Sequence, residues 1–209
     1  MKSSVRKWLS CVLAMTLLIT CTVSGIVLPT VAEEANLIVN GDFEQGPTAS
    51  WGNSAYIMDG VGVDGSKGIK IETTVNEGGT AVWPGVDYKA AFNAILEPNT
   101  TYVFSFDYKH EGKGFGKFDI NRVGSDWTGG WADVNLPAAA DWTTYTIEFT
   151  TGATENMNAN TGWEWSVRQL QYADAASYGT GATYYDNFKL VKKQAAITGI
   201  ELDKSTASV

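Results

Sequence analysis

Three tryptophans, Trp83, Trp127 and Trp131, stand beside chain-breaking residues rather than inside apolar runs. Trp83 precedes Pro84-Gly85, and Trp127 and Trp131 flank Thr128-Gly129-Gly130, a glycine-rich loop with little apolar company for two indoles. An indole left on a surface offers a flat apolar face, which matches the axial C–H face of a pyranose ring. Covering ~100 Å² at ~25 cal/mol per Å² yields roughly 2.5 kcal/mol per ring before entropic costs. The plain alternative is that all three pack the core. Hydroxyl groups call for planar, bidentate partners. Asn121 and Arg122 close one alternating segment, while Arg168, Gln169 and Gln171 lie on another. At period two, Gln169 and Gln171 share a face and Leu170 and Tyr172 share the other. The expectation is an open glutamine face, with Leu170 and Tyr172 turned to the core. Arg168 is in phase with Leu170 and breaks the scheme, and an ordinary solvated face explains the glutamines equally well.

Three carboxylates from distant sequence, Glu44, Asp64 and Asp186, flank expected strand ends. A hard divalent cation takes six to eight oxygens at about 2.3–2.6 Å, mixing carboxylates with backbone carbonyls. The turn Asp64-Gly65-Ser66-Lys67 is suited to presenting a side chain and a carbonyl together. Solvated turn acids are the competing reading. Catalysis has weaker support. With 23 Asp+Glu, some pair meets glycosidase spacing by chance. A triad fails on the single histidine, His110, which closes an alternating segment and reads as a strand-end surface residue. A zinc site lacks enough His or Cys.

The elements that would carry these groups are strands. Residues 101–110 place Tyr102, Phe104, Phe106 and Tyr108 on one face, and residues 143–151 do the same with Tyr145, Ile147 and Phe149. Weaker strands are expected at 36–40, 68–75, 79–83, 117–123, 163–172 and 182–192, separated by Gly, Asn, Asp and Pro. No amphipathic helix of ten residues or more is expected. Strands without βαβ alternation point to an all-β antiparallel sandwich over residues 33–193, with one sheet face left as an open trough.

The first 32 residues read as an export signal. Lys2, Arg6 and Lys7 precede an apolar run, and Thr30-Val31-Ala32 gives a cleavage context. A retained anchor or lipidation at Cys21 are the alternatives. Both cysteines, Cys11 and Cys21, fall in this segment, so the remainder has no disulfide. That remainder carries 12 Lys+Arg against 23 Asp+Glu, a charge of −11. The acidic balance excludes a phosphate-binding, nucleic-acid class. Low charge with many aromatics suits a neutral polysaccharide or oligosaccharide, bound by a secreted or cell-surface monomer. Membrane contact is expected only through the leader. Asn99-Thr100-Thr101 is a glycosylation sequon, with meaning in a eukaryotic secretory host.

Several fragments, in order, carry a resemblance. They are Asn36-Leu-Ile-Val-Asn-Gly-Asp-Phe-Glu44 followed by Trp51, and Leu96-Glu-Pro-Asn-Thr-Thr-Tyr-Val-Phe-Ser-Phe-Asp-Tyr-Lys109. Trp142-Thr-Thr-Tyr-Thr-Ile-Glu-Phe-Thr150 follows, and Tyr184-Tyr-Asp-Asn-Phe-Lys-Leu190 closes the set. Together they resemble carbohydrate-binding modules of families 4, 9 and 22. The resemblance implies a β-jelly roll of galactose-binding-like type and a non-catalytic role on β-glucan, xylan or amorphous cellulose, appended to a glycoside hydrolase. It implies structural calcium held by Glu44, Asp64 and Asp186, with backbone oxygens from Asp42 and Lys67. It also implies a cleft lined near Trp83 and Trp127/Trp131, and core positions for Trp51 and Trp142. Residues 197–209 resemble the opening strand of a group 2 bacterial immunoglobulin-like domain. A small jelly-roll hydrolase or lyase, and a surface adhesion module, are the rival readings.

Overall fold

The computed structural model describes residues 35–88, 95–122, 130–153 and 163–194, without the side chains of Arg122 and Trp163. The chain divides into the units Met1–Glu33 and Glu34–Val209, and all described residues belong to the second. The expected leader, Trp127 and the immunoglobulin-like tail lie outside the described residues.

Among the described residues nine strands run in chain order: β1 (Ile57–Met58), β2 (Gly68–Val75), β3 (Gly85–Tyr88), β4 (Thr101–Gly112), β5 (Phe115–Arg122), β6 (Ala132–Asn135), β7 (Thr143–Thr150), β8 (Trp163–Leu170) and β9 (Gly179–Lys192). They form a five-stranded sheet, β1-β2-β9-β4-β7, and a four-stranded sheet, β3-β8-β5-β6. Every pairing is antiparallel. The fold is an all-β antiparallel sandwich.

Side chains of period two from the two sheets meet in the core. Tyr102, Phe104, Phe106 and Tyr108 of β4 are buried, as the alternation predicts, against Phe118 and Ile120 of β5 and Trp165 and Val167 of β8. Aromatic rings dominate. Trp165 stacks on Phe188 at 4.8 Å and on Tyr88 at 5.3 Å, and meets Phe104 edge-on at 5.1 Å. Trp51 packs edge-on to Tyr88 at 4.9 Å and is core, as expected. Offset and edge contacts of this kind contribute about 0.5–1.5 kcal/mol each beyond area burial. Trp142 instead lies half-buried, with Lys109 Nζ 5.7 Å from its ring.

Two expectations fail locally. Residues 36–40 are not a strand, because the Asn36 side chain takes the place of a ladder. Its Nδ2 donates to the Phe188 carbonyl at 2.8 Å, and its Oδ1 accepts from the Ile38 and Leu190 amides at 3.0 Å. Positive φ at Asn40 (55°) and Phe43 (59°) then turns the chain. Residues 79–83 supply only the bridge Val82↔Gln171, since Pro84 has no amide to continue a ladder before β3. β3 and β6 are strands the sequence does not announce, because with four residues each they are too short for a period to stand out.

Candidate functional site

The outer face of the four-stranded sheet reads as rows fixed by register. Because successive side chains alternate faces, the inward Phe118, Ile120, Trp165 and Val167 put Lys117, Asp119 and Asn121 of β5 and Glu164, Ser166, Arg168 and Leu170 of β8 outward. The pairings set Leu170 opposite Phe115, Arg168 opposite Lys117, Ser166 opposite Asp119 and Glu164 opposite Asn121. On the flanking strands Asp87 pairs with Ser166 and Asp133 with Asp119. One face therefore carries an apolar row, a basic row, an acidic row and a mixed row of Asn121 and Glu164 in succession.

A cavity of about 360 Å³ opens on this face, and its described lining is Trp83, Lys117, Asp119, Asn121, Asp133, Arg168 and Leu170. Trp83, at the rim, is 59% exposed. The floor is braced from within. Asp119, only 1% exposed, accepts from the Ser166 hydroxyl on both oxygens (2.9 and 2.8 Å) and from Asn121 Nδ2 at 3.0 Å. Arg168 bridges Asp87 at 3.4 Å and Asp119 at 3.5 Å, and Lys117 pairs with Asp133. Burial pushes the Asp119 carboxyl up from its ordinary value, opposed by the Ser166 and Asn121 hydrogen bonds and the charges of Arg168 and Lys117. With both oxygens of Asp119 engaged, the cleft presents fixed polar groups rather than a free acid. Its two cations face carboxylates of the sheet itself, which suits an uncharged ligand rich in hydroxyls.

The expected site residues divide. Trp83 lines the cavity. Arg122 ends β5, but its side chain lies outside the described set, as Trp127 does altogether. Trp131 does not line the described cavity; it stacks on Phe149 with ring centroids 4.7 Å apart and packs against the core. Gln169 and Gln171 are a correction: they are 0% and 1% exposed and point inward, in phase with Trp165 and Val167. The interior accepts them because every amide group finds a partner. Gln171 Oε1 accepts from the Thr73 hydroxyl at 2.7 Å while its Nε2 donates to the Ser177 and Gly179 carbonyls, the latter at 2.7 Å. Gln169 Nε2 donates to the Lys113 carbonyl at 2.9 Å, and its Oε1 accepts from Thr183. His110 joins this network through Nδ1, 2.9 Å from the Thr183 hydroxyl, rather than standing at the surface. Burial holds its imidazole below the ordinary value.

Sequence reasoning missed Lys117, Asp119, Asp133 and Leu170. The signal for the first two was present: they alternate with Phe118 in a segment already expected to be a strand. For Leu170, extending the Trp165–Val167 phase would have set the glutamines inward and Leu170 outward.

The expected cation corner is partly assembled. Glu44 Oε1 accepts the Lys67 amide at 2.8 Å. Asp186, buried at a bulge of β9, accepts from the Val63 amide at 2.9 Å and the Ser66 hydroxyl at 3.0 Å through Oδ2, and from the Asn187 amide at 2.7 Å through Oδ1. A Cβ at Gly62 would lie 2.2 Å from the Lys67 carbonyl oxygen, 2.4 Å from Ser66 Oγ and 2.5 Å from Asp186 Oδ2, so these oxygens converge where only glycine fits. Asp42 and Asp64 are exposed, Asp64 at φ 52°. Among the described residues no three His, Cys, Asp or Glu side chains group as a metal centre. Glu44 and Asp186 each hold the turn of residues 62–67, and the Lys67 carbonyl faces the same point as Asp186 Oδ2; hard oxygens of this kind suit a divalent cation. Asp42, expected to contribute only its backbone oxygen, and Asp64 both lie on exposed turns.

No curated protein matches the chain. Among solved structures, a domain described as Family 16 Carbohydrate Binding Module-2 is similar at TM-score 0.51 and 23% identity, over 75% of this chain and 99% of that one. A structure titled CBM4 structure and function gives 0.48 and 16% over 72% and 99%. The CBM22-1 xylan-binding domain of Paenibacillus barcinonensis Xyn10C gives 0.47 and 15% over 78% and 97%. At these identities the likeness is one of fold. Residues 35–161 match the family CBM_4_9, described as Carbohydrate binding domain, and the chain belongs to that family.

Proposed function

We propose that this domain binds a neutral polysaccharide chain, of the β-glucan, xylan or amorphous cellulose class, in the cleft of the four-stranded sheet. The observation that carries the reading is Trp83, an indole more than half exposed at the rim of a cavity floored by fixed polar side chains. The ring supplies apolar stacking, while Lys117, Asn121, Asp133 and Arg168 supply donors and acceptors for hydroxyl groups. Binding without hydrolysis is the reading supported by the family match, whose description is Carbohydrate binding domain. The module acts outside the cell and holds an attached glycoside hydrolase against its substrate.

The proposal includes a structural calcium ion at Glu44, the Lys67 carbonyl and Asp186. It would tie the segment after residue 36 to β9 and offset part of the −11 charge. Affinity electrophoresis of the protein through gels containing soluble β-glucan or xylan tests the binding reading. Retardation by one of them is expected, with no release of reducing sugar. Unretarded migration in both gels and on a wider array of neutral glycans would refute it.

A further inference from the structure

The apolar row of the outer face continues past the cavity. The register of β3 with β8 runs on through Val82↔Gln171, which sets Trp83 opposite Leu170, and Leu170 is opposite Phe115. Tyr172, one residue beyond that bridge, returns to the same face and is 48% exposed. Its ring is backed by Phe115, with centroids 5.7 Å apart at 52°. Diagonal neighbours on one sheet face are attached about 7–8 Å apart, so Trp83 and Tyr172 rise from neighbouring positions of the same face, within reach of one bound chain. Tyr172 is also held in place from behind. The adjacent Gln171 anchors the backbone inside the sandwich through Thr73, Ser177 and Gly179, so little freedom is lost when the ring is covered. An exposed tyrosine continuous with a cleft and fixed in this way is a binding surface rather than a stray apolar residue.

We infer that Tyr172, backed by Phe115, is a second stacking platform that extends the cleft beyond Trp83 and makes the site selective for chains long enough to reach both rings. The inference rests on the cleft reading above and goes beyond it by naming the residue and the ligand length. The occupant is the same neutral glycan chain, whose C–H faces meet the tyrosine ring as they meet the indole.

Isothermal titration of the full chain with cello- and xylo-oligosaccharides of increasing length tests it. Wild-type affinity rises with length until both rings are covered. Tyr172→Ala removes that final rise, a loss of about five- to tenfold on the longest ligand and none on the shortest. Tyr172→Phe keeps the rise, because the ring and not the hydroxyl supplies the contact. The melting temperature of each variant shows that the fold is intact. Equal affinities of wild type and Tyr172→Ala at every length overturn the inference while leaving the cleft reading standing. A wild-type chain that binds neither series overturns the inference together with the cellulose and xylan classes of the cleft reading.

Discussion

Replacing Trp83 by alanine removes the one described indole that lines the cleft. The ring is 59% exposed and is absent from the core cluster, so the fold loses little, within about 0.5 kcal/mol. Its value lies in the complex. About 100 Å² of sugar surface covered at ~25 cal/mol per Å² gives roughly 2.5 kcal/mol gross. Immobilising the side chain costs about 0.5–1.5 kcal/mol, leaving about 1–2 kcal/mol, or roughly a five- to thirtyfold weaker Kd. Titration of Trp83→Ala with the polysaccharide that retards the wild type measures this directly. Trp142→Ala is the matched control, since Trp142 lies beside Lys109 at the other sheet. Wild-type affinity in Trp83→Ala, or an equal loss in Trp142→Ala, would refute the assignment of the cleft.

Other expectations separate stability from binding. Gln171→Ala leaves the Thr73 hydroxyl and the Ser177 and Gly179 carbonyls without their buried partner, and lowers stability by about 2–4 kcal/mol in chemical denaturation. Glycan affinity per folded molecule falls far less than the stability, because the amide faces the core and acts on binding only by anchoring the backbone beside Tyr172. Burial depresses the His110 pKa below its ordinary 6.5, so the unfolded chain takes the proton first. This contribution to stability is full above about pH 7.5 and declines as the pH falls through 6.5 and on through the lower folded value. The melting-temperature difference between wild type and His110→Asn should therefore narrow as the pH falls to about 5.5, and a constant difference would contradict it. Exhaustive chelation lowers the melting temperature and added calcium restores it, with Glu44→Gln insensitive to both; wild-type melting that ignores chelation argues against the ion.

What was legible in the sequence followed from amphipathic period. The alternation of Tyr102 to Tyr108 against threonines and charges has one solution, a strand with one face on a core, and β4 is that strand. β7 followed for the same reason. The facing of β8 was misread because polarity was taken as a guide to exposure. Gln169 and Gln171 satisfy every amide group inside the sandwich, so hydrogen bonding overrode the rule that glutamine faces water, and Leu170 was thereby left for the cleft. Trp131 shows the opposite limit. A glycine-rich neighbourhood says nothing about a distant Phe149, and that ring claims the indole. The acidic row was invisible for another reason. Asp87, Asp119 and Asp133 come from three strands, and only the register of three pairings, β3 with β8, β8 with β5 and β5 with β6, brings them into one row.

The central claim is that glycan binds on the outer face of β3, β8, β5 and β6. The most direct measurement is an NMR titration of the isotope-labelled protein with a soluble oligosaccharide of the bound class. The account predicts that the indole Nε1–H of Trp83 and the amides of Lys117, Asn121, Arg168 and Leu170 shift together. The row Lys70, Tyr184, Lys109 and Trp142 on the opposite sheet should remain still. Shifts gathered on that opposite row, with Trp83 unmoved at saturation, would contradict it.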